Sequence, residues 1–78
     1  IALSREVAIE GIRVNAVSPG IIETDQHDFP DETLKNIKKE IPLGRLGKPQ
    51  EVASAVVWLL SDKAAYVTGA VLPVAGGR

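Results

Sequence analysis

The stretch Asn15-Ala16-Val17-Ser18-Pro19-Gly20-Ile21-Ile22-Glu23-Thr24-Asp25 decides how this chain is read. Apolar and β-branched residues begin just ahead of it, at Ile12 and Val14, and halt at Pro19-Gly20. The chain resumes with two isoleucines and turns acidic within three residues. A short β-branched run bounded by Gly11 on one side and Pro-Gly on the other has the profile of a buried strand in an α/β sheet. The spacing predicts a strand over Ile12–Ser18. Pro-Gly is first of all a turn signal, but a strand that ends with its backbone released is also a place where ligands bind.

Working outward, Ile1, Leu3, Val7 and Ala8 recur at helical spacing while Ser4, Arg5 and Glu6 fill the other face. A first helix is predicted to run to about Glu10, with Gly11 in the left-handed position that follows many helices. After the break at Phe29-Pro30-Asp31, Leu34, Ile37 and Ile41 form a thin apolar stripe. Lys35, Lys38, Lys39 and Glu40 lie off that stripe, so a short amphipathic helix with a solvated face is expected. Pro49 suits the first position of a further helix. In it Val52, Val56 and Leu60 stack at i, i+4 and i+8, and its second half is apolar nearly all round, which predicts burial on more than one side. A last strand is predicted over Val71–Ala75. Two strands joined through a long helical crossover make a βαβ unit of a parallel sheet.

Composition narrows the function classes. At 78 residues the chain is one domain at most and lies near the size where a single core needs help. It contains no cysteine, which excludes disulfides and thiolate metal sites. A net charge of −1 gives no general attraction to nucleic acid or anionic membranes. The apolar run Ala55–Leu60 is far too short to span a bilayer, no signal-peptide pattern is visible, and cytoplasmic residence is the default expectation. The chain has no methionine and opens in helical register without a capping residue. It is therefore expected to be the tail of a longer protein, with the other strands of the sheet supplied by the missing chain or by another chain.

Several tempting motifs fail on chemistry. In Gly44-Arg45-Leu46-Gly47-Lys48-Pro49, Pro42 and Pro49 occupy the places where a phosphate loop needs Gly and Ser or Thr. No Gly-x-Gly-x-x-Gly occurs. His27 is the only histidine and has no clustered ligand or triad partner, so a solvated loop position is expected and no metal site. Trp58 and Tyr66 are expected in core or subunit packing. Thr24 reads equally as a helix cap or a solvated hydroxyl. Asn15 is expected to be a structural hydrogen-bonding residue near the strand end.

Taken in order, Ile12-Arg13-Val14-Asn15, Pro19-Gly20, Thr24, Gly44-Arg45-Leu46-Gly47-x-Pro49-x-Glu51-Val52-Ala53 and Ser61-Asp62-x-Ala64-x-Tyr66-Val67-Thr68-Gly69 resemble the C-terminal portion of the short-chain dehydrogenase/reductase family. Its β-ketoacyl carrier-protein reductase and glucose dehydrogenase branches are the most similar. The resemblance implies an α/β fold, the C-terminal βαβ portion of a Rossmann-type doubly wound parallel sheet, with residues 1–78 forming the C-terminal part of a single domain. It implies an oxidoreductase that transfers hydride between NAD or NADP and a small carbonyl or alcohol substrate, assembled as a dimer or tetramer.

By that resemblance the loop after the first strand lies beside the nicotinamide, at the carboxyl ends of the strands. Pro19 fixes one φ there, and Gly20 tolerates close approach and unusual φ. Ile22 would offer its backbone amide and carbonyl to the carboxamide. Thr24 would offer its hydroxyl to the carboxamide or pyrophosphate. Residues 26–40 would form a substrate lid that is mobile without ligand.

The family's catalytic Tyr-x-x-x-Lys would precede Ile1, so no catalytic residue is expected in these 78 residues, and the chain alone should be inactive. Tyr66 is no substitute, because Ala70 stands where the lysine belongs. The last strand ends in Ala75-Gly76-Gly77, where the family usually has Asp-Gly-Gly. The alternatives are a non-enzymatic interaction module, paired to another chain through residues 52–60 and 71–75, and a family member that binds nucleotide but has lost catalysis. The sequence upstream of Ile1 discriminates among the three.

Overall fold

The computed structural model describes residues 2–24 and 29–78. Helix α1 (Ala2–Ala8) leads into strand β1 (Ala16–Pro19). Helices α2 (Asp31–Glu40) and α3 (Pro49–Leu60) follow, then a single 3₁₀ turn at Asp62–Ala64 and strand β2 (Val71–Val74). The strands pair in parallel, with Ala16 opposite Val71 and Pro19 opposite Val74. The predicted βαβ connection is thus present.

Helix α1 ends two residues earlier than expected, and Gly11 takes the left-handed conformation at φ 78°. Its amide donates to the Ala8 carbonyl at 2.9 Å, which closes the helix end. Ser4 is buried on the inner side of this helix, against Gly69. A Cβ at Gly69 would stand 2.9 Å from the Ser4 hydroxyl oxygen.

Strand β1 begins at Ala16, not at Ile12. The physical reason lies in where the backbone of residues 13–15 is used. Val14 donates its N–H to the Thr68 hydroxyl at 3.1 Å and accepts from Gly69 N–H at 2.8 Å. The Asn15 carboxamide donates to Val67 O at 2.9 Å and accepts from Ala70 N–H at 2.9 Å. Asn15 is the structural hydrogen-bonding residue the sequence indicated, and it sets the register in which residues 67–70 enter β2. Pro19 lies inside β1 as its last residue, and β2 stops at Val74, one residue short of the expected end.

Arg13 closes the other end of α3. Its Nη1 donates to the carbonyls of Leu59 at 2.7 Å and Val67 at 3.2 Å, and its Nη2 to that of Ser61 at 3.4 Å. The last carbonyls of a helix have no partner within it and carry its negative end, so a guanidinium suits this place twice over.

Helix α3 packs on both strands, yet the expectation that it is buried on more than one side is not met. Leu59 is buried, while Val56, Val57, Trp58 and Leu60 remain exposed. Two strands cover only one side of a helix. Trp58 and Tyr66 likewise take no core position, Tyr66 being fully exposed. The strands themselves are at most half-buried, against the expectation of a buried strand.

The buried apolar residues among those described are Ile41, Leu46, Leu59 and Ala64. The molecule is 50 Å long and 20 Å across, with a radius of gyration of 15.7 Å. A compact domain of this length has a radius of about 11.5 Å. No helix among the described residues is long and apolar enough to cross a membrane.

Candidate functional site

The site grows from the carboxyl end of the parallel pair. Beyond Pro19, Gly20 donates its N–H to the Val74 carbonyl at 2.9 Å and continues the ladder by one step. A Cβ on Gly20 would lie 2.7 Å from the Cβ and 2.8 Å from the Cα of Ala75. Close approach is therefore what glycine provides here, and the group approached is Ala75. The unusual φ expected at Gly20 is not a left-handed one, since the positive-φ glycines are Gly11, Gly44, Gly69, Gly76 and Gly77.

Two residues on, Ile22 forms an isolated parallel bridge with Gly47. Gly47 donates to the Ile21 carbonyl at 3.0 Å, and Glu23 donates to the Gly47 carbonyl at 2.7 Å. Successive peptide groups of an extended segment point to opposite sides. The amide and carbonyl of Ile22 itself thus face away from Gly47. A Cβ at Gly47 would fall 2.8 Å from Ile22 Cδ1, the far end of that side chain, so a larger residue there would make Ile22 turn aside.

The segment carrying Gly47 is tied by a fork-to-fork ion pair. Arg45 Nη1 and Nη2 donate to Glu51 Oε1 at 2.7 Å and Oε2 at 2.9 Å. Arg45 Nη1 also reaches the Leu46 carbonyl at 3.1 Å, and Lys48 N–H donates to Glu51 Oε1 at 3.0 Å. The second of these is half of a capping box at the start of α3; a lysine side chain has no acceptor to complete it. The Arg45 guanidinium and then the Lys48 amide hold the Glu51 carboxyl well below its usual range, at about 2.

The expected site residues do not share one pocket. Ile22 lines a crevice of about 130 Å³ with Arg45, Gly47, Glu51, Val74 and Ala75. Thr24 is exposed and lines a larger cleft of about 330 Å³ with Glu23, Phe29, Leu34, Lys38, Arg45 and Lys48. Pro19 and Gly20 line neither; Pro19 is exposed and Gly20 is spent on the strand pairing. The cleft thus has an apolar wall from Phe29 and Leu34 and basic groups from Lys38, Arg45 and Lys48. Asp25–Asp28, which include His27 and the start of the expected lid, lie outside the described residues. No group of three His, Cys, Asp or Glu that could hold a metal occurs among the described residues.

Sequence reasoning passed over Arg13, Arg45 and Glu51 as acting residues. Arg45 and Glu51 stand six apart, a spacing that matches neither helix nor strand. The available signal was Glu51 three residues after the helix cap, the half of a capping box that survives when the cap is lysine. For Arg13 no local signal exists, because its partners lie 46 to 54 residues away.

A parallel strand–helix–strand connection with a crevice beyond its carboxyl end is an α/β arrangement, and the sequence comparisons agree. Residues 2–78 match the family described as enoyl-(acyl carrier protein) reductase. The chain belongs to the short-chain dehydrogenase/reductase family and is similar to its 3-oxoacyl-[acyl-carrier-protein] reductases. It is 53% identical over 78 residues to the uncharacterized oxidoreductase YgfF of Escherichia coli K12, covering 97% of this chain and 32% of that protein. It is 50% identical over 76 residues to the uncharacterized oxidoreductase YmfI of Bacillus subtilis 168, covering 96% of this chain and 31% of that protein. It is 52% identical over 77 residues to the 3-oxoacyl-[acyl-carrier-protein] reductase FabG of Pseudomonas aeruginosa, covering 97% of this chain and 31% of that protein. The chain spans about a third of the length of the curated relatives it matches.

Proposed function

We propose that residues 1–78 are the C-terminal part of one doubly wound Rossmann domain in a cytoplasmic NAD(P)-dependent oxidoreductase acting on a small carbonyl or alcohol substrate. In open α/β sheets ligands bind beyond the carboxyl ends of the strands, and the residues just past β1 are those the family resemblance marks for the cofactor. The observation that carries the reading is the Ile22–Gly47 bridge. It takes up the Ile21 carbonyl and the Glu23 amide and turns Ile22's own amide and carbonyl to the opposite side, the side from which a backbone reader would meet a carboxamide. Thr24, exposed on the adjacent cleft, fits the second contact.

When bound, the dinucleotide supplies or accepts the hydride. The proton for the nascent alkoxide comes from a Tyr-x-x-x-Lys pair on the helix that α1 completes. These 78 residues orient the nicotinamide end, and α2 closes over the substrate. The relatives named as 3-oxoacyl-[acyl-carrier-protein] reductases act on a carbonyl, and it is the carbonyl chemistry that is carried over to this protein. The bare face of α3 and the edge of β2 join copies of the full protein into a dimer or tetramer.

The test is Thr24→Val in the full-length protein. Loss of one hydrogen bond should weaken NADH or NADPH binding by about 1 kcal/mol with the fold intact. Unchanged affinity by titration calorimetry removes Thr24 from the site. Absence of any dinucleotide binding by the wild-type protein overturns the reading as a whole.

A further inference from the structure

The two peptide groups that flank Gly47 are each held at both ends. In the Leu46–Gly47 peptide the carbonyl accepts from Arg45 Nη1 at 3.1 Å and the N–H donates to Ile21 at 3.0 Å. In the Gly47–Lys48 peptide the carbonyl accepts from Glu23 N–H at 2.7 Å and the N–H donates to Glu51 Oε1 at 3.0 Å. One end of each peptide is gripped by the Ile22 segment and the other by one member of the Arg45–Glu51 pair. The pair itself is closed by two parallel hydrogen bonds of 2.7 and 2.9 Å, which fix the mutual orientation of the two grips.

We propose that Arg45 and Glu51 are positioning residues for the nicotinamide dinucleotide, acting through Gly47 to set the plane in which the Ile22 backbone is presented. The inference rests on the cofactor reading above. Both side chains are about half exposed, at 50% and 42%, and exposed ion pairs add little to global stability. Their value here is geometric. Among the described residues, 21–23 belong to no strand and are joined to the 45–48 segment through the bridge at Gly47. A bridge of two hydrogen bonds would rock without the outer grips. An Ile22 amide and carbonyl that must meet one carboxamide together do not tolerate that rocking.

The experiment uses the full-length protein with Arg45→Met, which removes the donors and keeps the stem, and Glu51→Ala, which removes the acceptor. Either variant suffices if the other fails to fold. Amide exchange is read at Glu23 and Gly47, and NADH and NADPH affinity by calorimetry. Exchange at both amides should quicken by about tenfold, and dinucleotide Kd should rise by about fivefold, the equivalent of one hydrogen bond. The KM for the dinucleotide should rise with it while the KM for the carbonyl substrate stays put, a split that general loosening of the fold would not produce. Unchanged exchange at both amides overturns the proposal, and so does quickened exchange with unchanged dinucleotide Kd. The Ile22 amide of the wild type, followed by NMR during dinucleotide addition, separates the two levels. If it responds and the variants bind normally, only the positioning role fails; if it does not respond although the dinucleotide binds, the cofactor reading of Ile22 fails and the positioning role with it.

Discussion

Gly20 and Ala75 lie so close that a Cβ on the glycine would stand 2.7 Å from the alanine's Cβ and 2.8 Å from its Cα. The Cα is backbone of the segment leaving β2, so it cannot swing aside as a side chain would. Gly20→Ala should push the ends of β1 and β2 apart and destabilise the protein by about 1–3 kcal/mol, the usual cost of overpacking. Adding Ala75→Gly should restore only part of it, because the new methyl group still meets the backbone of residue 75. Urea unfolding of the two variants in the full-length protein checks both points. A Gly20→Ala protein as stable as wild type would contradict the packing.

Arg13 connects the segment before β1 to the end of α3, through hydrogen bonds to the Leu59, Val67 and Ser61 carbonyls. Arg13→Ala takes the guanidinium from the Leu59 carbonyl and the cation from the helix end, while the Val67 carbonyl keeps the Asn15 carboxamide and the Ser61 carbonyl keeps the Ala64 amide. A loss of about 1.5–3 kcal/mol is expected for hydrogen bonds from a charged group. The Ser61 amide, which donates to Trp58 at 3.0 Å, should exchange faster as the last turn frays. Equal Ser61 protection in both proteins would show that the guanidinium is not what closes the helix.

Glu51 gives the local structure a pH dependence of definite sign. Its carboxyl is held at about 2, below the ordinary 4.5, by Arg45 and the Lys48 amide. A group whose folded pKa is depressed binds protons first in the unfolded state as pH falls. Its contribution is therefore complete above the ordinary value, declines as pH drops below it, and is gone below the folded one. The Glu51 carboxyl carbon, titrated by NMR, should move well below the carboxylate norm in the wild type and return toward it in Arg45→Met. A wild-type midpoint at the ordinary value would refute the ion pair in solution.

Among the described residues helix α2 packs against no other helix or strand, although Leu34 and Ile37 are half covered and Ile41 just beyond it is buried. Asp31 and Glu32 in its first turn and Lys38 and Lys39 in its last suit the helix dipole. Such local terms hold a ten-residue helix only marginally. Amides of residues 34–39 should exchange much faster than those of 52–60 in the full-length protein without ligand, and slow on adding dinucleotide and substrate. Equal protection of the two helices before ligand is added would rule out a lid.

The 78 residues alone should self-associate or fail to hold a unique fold. Their accessible surface is 6004 Å², against about 4,600 Å² for a compact protein of this mass. Among the described residues the two-stranded sheet has an unpaired outer edge on each strand, and open edges beside apolar side chains invite pairing. Sedimentation and thermal unfolding of the isolated chain decide it. A monodisperse monomer with one sharp transition would show a complete domain and favour the interaction-module alternative.

Some of this was legible without coordinates. Gly11 after a helix, Pro49 at the first turn of α3 and a parallel pair around a helical crossover follow from φ restrictions, a missing N–H and chain connectivity. Those constraints act within a few residues of their cause, or through handedness rules that hold for any chain. That the loop of Ile22 and Thr24 belongs to a site was read from the family resemblance. What the tertiary structure alone decided is everything that joins distant segments: the late start of β1, because Val14 and Asn15 spend their hydrogen bonds on residues 67–70; the meaning of Gly20, whose neighbour is Ala75; and the grip of Arg45 and Glu51 on the peptides around Gly47. Hydrophobic period and turn chemistry say which face a residue takes, while a hydrogen bond across 50 positions depends on where two segments come to lie, and only the packed chain determines that.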